Sequence, residues 1–524
     1  MTAFSVQLPD GAAEPEGLLD AVRDYERALM ANDLEALDRL FAPGESTLRG
    51  DAGGILVGHA TISAFRKGRG GAPRRELMTV FVHPIDADAA MVVAVTAPLT
   101  GGRGQQTQLW RRDAEGAWRV DVAHVSLPTP AVNGTIWRIV GTPLVRGRDT
   151  AELASQTVAV KDLFDVAGFA MGAGVPTFLA ESTPATRNAD AVEALLATGA
   201  SITGIAQTDE FAYSIAGRNP HYGTPPNGAV VGALPGGSSS GPASAVALGQ
   251  ASIGLGTDTG GSLRVPASYQ GLWGLRTTHG AVDARGLLPL APSFDTVGWL
   301  TREAWTMRAA ATASLDLAQQ VLPVPARYAL SAALNAHAEA GVRDAFDDAV
   351  TRLCDAGLLD DVVDVDFGDI DALVETFRTV QAAEAWAVHG DWITAHPGAL
   401  GADIGARFAW ASTITTEAEA AARVALAAAR LDLEAVLDGR TLLLPAASSV
   451  APPTTADAAA VERTRAGTLR LTCIAGLTGR PGLSVPVMTV DGAPVGLCIV
   501  GPRFGDIGTI VAGAKFHTAL VQPA

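Results

Sequence analysis

The chain has 524 residues, 48% of them apolar and 18% charged, which is enough core for more than one domain and excludes a disordered chain. A formal net charge of −17 argues against any fit to a phosphate backbone, so no nucleic-acid partner is expected. Cys354, Cys473 and Cys498 are odd in number and widely spaced, which excludes a disulfide framework and a cysteine metal site. The start, MTAFSVQLPDG, has no basic and apolar leader pattern, and no apolar run reaches membrane-spanning length. The expectation is a cytoplasmic protein with no membrane partner, no metal and no organic cofactor.

Leu18, Leu19, Val22, Tyr25 and Leu29 fall at helical spacing, as do Leu34, Leu37, Leu40 and Phe41, so residues 15–42 read as two helices. Asn32 or Asp33 is the N-cap expected for the second. A third short helix is expected at 60–65. The runs MTVFVHPI, AAMVVAVTAPL, QQTQLWRR and AWRVDVAHVSL then read as about four strands of an antiparallel meander, and Pro128-Thr129-Pro130 as a linker. From Ile136 onward short apolar strands alternate with Ala-rich helices, an α/β pattern with a mixed or parallel sheet. Residues 303–440 read as mostly helical, and strands return at TLLLPA, LSVPVM and VGLCIV. The domain boundary is expected between 128 and 129.

Two glycine-flanked serine stretches stand out, GGSSSG at 236–241 and TDTGGSLR at 257–264. A phosphate loop would need the Gly-Lys-Ser/Thr ending, and a dinucleotide fingerprint a third glycine; both are missing. Ser239 does sit in a G-x-S-x-G pattern, the signature of a nucleophile elbow, but no acid and histidine follow in a recognisable context. A plain Gly/Ser linker is at odds with PASAVALGQASIGLGTD, a helix-like run leading into a strand-like one. A fourth reading takes Ser262 as nucleophile, Ser238 as relay and Lys161 as base. The chain has only three lysines, Lys67, Lys161 and Lys515, and Lys161 ends an alternating apolar strand. A desolvated ammonium loses its proton near neutrality, whereas a guanidinium does not.

The residues VAVKD at 158–162, TDEFA at 208–212, NPHYGTPPN at 219–227, PGGSSSGPASAVA at 235–247, GLGTDTGGSLRVPAS at 254–268 and GLWGLRTTHG at 271–280 resemble the amidase signature family of serine hydrolases. PGLSVPV and APVGLCIVG resemble its C-terminal strands, so the resemblance covers about 136–524. The chain departs from the family at Pro242, where glycine or serine is usual, and at GLRTTHG, where GLKPTxG is usual. The resemblance implies a large α/β domain with a mixed central sheet flanked by helices. It also implies a catalytic trio of Lys161, Ser238 and Ser262, a cis peptide between Gly237 and Ser238, and hydrolysis of C–N amide bonds through an acyl-enzyme that releases ammonia or an amine. Thr259, Gly260 and Gly261 are expected to offer amides to the oxyanion, and Asp258 and Arg264 to brace the loop.

Residues 15–127 resemble the SnoaL-like cone superfamily, in particular its AtzH-like subfamily, through DYERALMANDLEALDRLF at 24–41, TLRGDAGGILVGHATISAFRKGR at 47–69 and QTQLWRRDAEGAWRVDVAHVSLP at 106–128. That implies an α+β cone of helices on a curved antiparallel sheet, with Tyr25 and Arg49 projecting into its pocket and His124 and Arg66 as weaker candidates. The two resemblances together lead us to expect an amidohydrolase for a small, carboxylated or urea-like amide, in a chain compatible with a homodimer. The alternatives are a glutamine-dependent amidotransferase subunit, and a front domain that only binds or assembles.

Overall fold

The computed structural model describes residues 4–51, 54–69, 71–72, 74–98, 103–129, 132–149, 152–321 and 327–521. The chain divides into two compact units, residues 1–132 and 133–524.

In the first unit the helix Leu18–Ala31 buries Leu18, Leu19, Val22, Tyr25 and Ala28, an apolar stripe at helical spacing. Asn32 takes the left-handed conformation that ends this helix. Asp33 caps the next, Leu34–Leu40, by accepting the Ala36 amide at 3.0 Å. The third helix runs His59–Arg69, longer than the segment expected at 60–65.

The expected meander is present as Arg75–Pro84, Ala89–Pro98, Arg103–Arg112 and Trp118–Thr129, each antiparallel to the next. Both its edges are extended, giving a seven-stranded sheet. Ser5–Gln7 pairs parallel with Arg75–Pro84, and Leu48–Asp51 pairs parallel with Trp118–Thr129 and antiparallel with Gly54–Val57. The sheet is therefore mixed rather than purely antiparallel. The added strands are three or four residues long, too short to show an alternation. The last meander strand continues through Pro128 and Thr129, so those residues end a strand and not a linker; Pro130 lies outside the described residues. Among the described residues no helix is long and apolar enough to cross a membrane.

The second unit is built on an eleven-stranded mixed sheet. Its order is Asp361–Asp364, Arg327–Leu330, Thr441–Pro445, Ala493–Val500, Gly482–Val490, Trp273–Arg276, Thr296–Thr301, Ile253–Asp258, Thr157–Lys161, Ser201–Ala206 and Trp137–Val145. The two short strands Arg327–Leu330 and Asp361–Asp364 lie inside the region read as mostly helical. They pair with each other in parallel at one end of the sheet.

The central strands are buried on both faces, which is why they read as near-continuous apolar runs. Thr157–Lys161 runs parallel to both of its neighbours, with Val160 opposite Leu255 and Lys161 opposite Ala206. Lys161 and Asp258 therefore both sit at the carboxyl ends of adjacent parallel strands, where open α/β sheets place their ligands.

The long Ala-rich helix Thr416–Leu437 is capped by Thr415, which accepts the Ala418 amide, and it buries Ala422, Leu426, Ala429, Leu433 and Leu437. The helix Ala458–Thr478, capped by Asp457, carries Arg465, Leu469 and Thr472 to the carboxyl end of the sheet.

Candidate active site

Lys161 is the last residue of its strand, and its side chain is wholly buried. Its Nζ donates to Ser238 Oγ and to Thr257 Oγ1, each at 2.8 Å. Burial pushes its pKa down to about 7, against the pull of the carboxylates of Asp209, Asp295 and Asp258. Lys67 and Lys515, the other lysines, are exposed.

Ser238 follows the cis peptide Gly237–Ser238. Its carbonyl accepts from Thr208 Oγ1 at 2.9 Å and from the Asp209 amide at 3.3 Å. Glycine is required before it, because a Cβ at Gly237 would stand 2.6 Å from the Gly217 nitrogen, with Asp209 Oδ2 closer still. Asp209 ties this corner together, accepting the Gly217 amide at 2.9 Å and the Ser240 hydroxyl at 3.0 Å.

The middle serine faces elsewhere. Ser239 Oγ is buried against the neighbouring strand, 3.3 Å from the Thr257 carbonyl and 3.4 Å from its amide, and it carries no nucleophile elbow. Its own amide donates to the Ser262 carbonyl at 3.3 Å, which joins the two serine segments.

Ser262 lies in the loop between the strand Ile253–Asp258 and the helix Arg264–Gln270. Among the described residues no protein group bonds to its hydroxyl, which opens on a narrow cleft. Thr259 and Gly260 line the same cleft, as do Tyr213, Arg407 and Arg465.

Asp258 organises the loop. It pairs with Arg264 through Nε at 3.0 Å and Nη2 at 2.9 Å, and with Arg276 Nη1 at 3.3 Å, all fully buried. Its oxygens also accept the amides of Gly261 at 2.9 Å and Leu263 at 3.2 Å. Burial opposes this carboxylate, yet the charge and hydrogen bonds of Arg264, with the charge of Arg276, hold its pKa well below the usual range. The Gly261 amide, expected to face the oxyanion, is thus occupied by Asp258.

In the first unit Tyr25 is buried and its ring packs edge-on to Trp110, 6.2 Å between centroids. Arg49 is buried, bonds Asp51 at 2.7 Å and lies over the Phe65 ring. Arg66 lies 3.8 Å from the centroid of Phe41. Burial raises the Tyr25 pKa, reinforced by Glu26, while Arg75, Arg66 and Arg49 pull it back, so these groups share one interior. His124 is exposed and does not join them. The amide nitrogens of Gln106 and Gln108 are buried there without a partner among the described residues.

Several of these residues carried no role in the sequence reading. Thr257, Asp209 and Arg276 stand inside the quoted motifs, yet nothing in the strings says which way they point. Asp295, which accepts the Thr259 hydroxyl at 2.6 Å, lies beyond the motifs. Arg407 and Arg465 sit on helices whose spacing signals packing alone.

A family model described as Amidase matches residues 145–509, and one described as AtzH-like matches residues 5–130. The chain is 33% identical over 396 residues to Amidase 1 of Oryza sativa subsp. japonica, covering 70% of this chain and 91% of that protein. It is 32% identical over 379 residues to the 2-amino-5-chloromuconic acid deaminase of Comamonas testosteroni, covering 69% and 81%. A solved structure described as a crystal structure of amidase matches with a TM-score of 0.65 and 29% identity over 74% of this chain and 92% of its own.

Removing the Asp258 charge leaves two arginines buried without their carboxylate. Asp258→Asn is expected to cost about 3–5 kcal/mol, read from denaturant unfolding. An unchanged midpoint would mean that the pairing contributes nothing to the fold.

Proposed function

The chain belongs to the amidase family, hydrolases of carbon–nitrogen bonds, with an AtzH-like unit in front, and from that premise we propose that Lys161, Ser238 and Ser262 cleave a small carboxylated amide through an acyl-enzyme. The observation that carries this reading is the 2.8 Å hydrogen bond from a wholly buried Lys161 to Ser238, with a lysine pKa near 7. Neutral Lys161 takes the Ser238 proton as Ser238 takes that of Ser262. Ser262 Oγ then adds to the amide carbonyl, and the oxyanion meets the loop amides. The tetrahedral adduct collapses as the proton on Lys161 returns through Ser238 to the leaving nitrogen. Water releases the acid by the same relay.

The carboxylated substrate is supported by Arg465, which lines the cleft beside Ser262; Arg407 lines it too, but its guanidinium is held by Asp403 and by the Tyr213 carbonyl. Arg465 holds Glu462 through Nε and Nη2, both at 2.7 Å, so its Nη1 is left for a ligand. A guanidinium edge is suited to a carboxylate. The relative named for 2-amino-5-chloromuconic acid acts on a carboxylated compound by that name.

For the front unit we infer a cone with an interior pocket in which Tyr25, Arg49 and Arg66 grip a carboxylate of the same substrate or of its product. Burial of all three in one interior supports this.

A fluorophosphonate is expected to label Ser262, and Ser262→Ala to abolish both labelling and ammonia release from a panel of simple and carboxylated amides while the fold persists. Labelling at Ser239 instead would sink the proposal. Arg465→Met should raise KM about tenfold for carboxylated amides and leave uncharged ones unchanged, since a charge-assisted hydrogen bond contributes about 1.5–3 kcal/mol.

The pH profile of kcat/KM should rise through about 7 with increasing pH, because only neutral Lys161 accepts a proton. Lys161→Arg should be nearly as inactive as Lys161→Ala, because guanidinium keeps its proton. A flat profile with an active arginine variant would remove Lys161 from the role of base.

Tyr25→Phe and Arg49→Met should alter the product distribution while Ser262 is still acylated. Unchanged products in both variants would leave the front unit as a binding or assembly module.

A further inference from the structure

We propose that Arg276 is the positioning residue that aims the amides of Thr259 and Gly260 at the oxyanion, an inference that rests on Ser262 being the nucleophile. In a trans peptide the C=O of one residue and the N–H of the next point to opposite sides. Whatever fixes a carbonyl on one side therefore fixes the following amide on the other.

Arg276 Nη1 donates to the Asp258 carbonyl at 2.5 Å and to the Thr259 carbonyl at 3.2 Å. Its Nη2 donates to the Phe294 carbonyl at 2.8 Å, which anchors the guanidinium to a separate segment. Thr296 Oγ1 adds a second bond to the Asp258 carbonyl at 3.1 Å. With these two carbonyls turned to Arg276, the N–H groups of Thr259 and Gly260 face the opposite side, and both residues line the Ser262 cleft. A carbonyl that accepts a charged donor also polarises its peptide and strengthens the N–H as a donor.

The next peptide behaves differently. Thr472 Oγ1 holds the Gly260 carbonyl at 2.8 Å, and the amide that follows, Gly261, donates to Asp258. The loop thus has two classes of amide, one set by Arg276 and one held by Asp258. Arg276 has no solvent exposure and does not line the cleft, so it acts through the loop and touches no reacting atom. Arginine does the task with a planar fork that reaches three carbonyls at once.

The test is the second-order rate of Ser262 labelling by a fluorophosphonate, whose phosphoryl oxygen takes the oxyanion's place. Arg276→Met should slow labelling about 100-fold, the size of effect seen when one such donor is removed, whereas Arg276→Lys, which keeps a charged donor and installs the residue usual in the family at this position, should stay within about threefold of the unaltered chain. The midpoint of labelling against pH should stay near 7 in both, because Lys161 is untouched. Thr472→Val removes a buried hydrogen bond of comparable length from the same loop, yet should change the rate less than about threefold. If the methionine variant fails to fold, Arg276→Gln, which keeps a neutral donor of shorter reach, should still slow labelling about tenfold, and wild-type labelling in it overturns the inference.

Wild-type labelling in Arg276→Met, a shifted pH midpoint, or an equal loss in Thr472→Val overturns the inference alone. No labelling of Ser262 in the unaltered chain overturns the nucleophile assignment and this inference with it.

Discussion

The second unit depends on one buried carboxylate. Asp258 ends a central strand, and Ser262, the proposed nucleophile, lies four positions on, with no regular structure between. What shapes those residues is the set of donors gathered on Asp258: two guanidinium groups and two loop amides. Each charge is expensive to bury alone, and the desolvation is offset only when the whole set is in place. The loop is thereby tied to the strand Trp273–Arg276 and, through the bond from Arg264 Nη1 to the Thr472 carbonyl, to the helix Ala458–Thr478. A loop braced on three sides holds its amides in fixed directions, which is what the proposed oxyanion site requires.

Lys161 meets the opposite treatment. Its nearest polar partners are hydroxyls, and the carboxylates that influence it do not offset its burial, so its charged form is disfavoured. The same strand ends thus hold one ion pair made strong by proximity and one amine whose pKa isolation has brought down to about 7. General-base chemistry needs the second, and a rigid anion site needs the first.

The strands and helices of the second unit were legible because their periodicities are long and their serine and glycine motifs are dense. The helix Thr416–Leu437 and the strands Thr441–Pro445 and Ala493–Val500 lie where the apolar pattern put them. What the pattern does not carry is direction in space between distant segments. Thr257 reads as one more residue of a strand, and only the fold sets it beside Lys161. Arg407 and Arg465 stand 58 positions apart on two different helices, and their convergence on the Ser262 cleft is a tertiary fact. Gly261 shows the limit within a motif: a string of glycines suggests available amides, but it takes the Asp258 geometry to say which amide is occupied. In the first unit the short edge strands escaped for a simpler reason. Three or four residues do not complete an alternation.

The scarcity of lysine has a practical side. Lys67 lies exposed on a helix of the first unit and Lys515 exposed on the last helix of the second, while Lys161 is sealed in the interior. An amine-directed dye used on the folded protein would therefore find one side-chain target in each unit and leave the catalytic candidate unmodified. Changing either exposed lysine to arginine would then confine the side-chain label to one chosen unit.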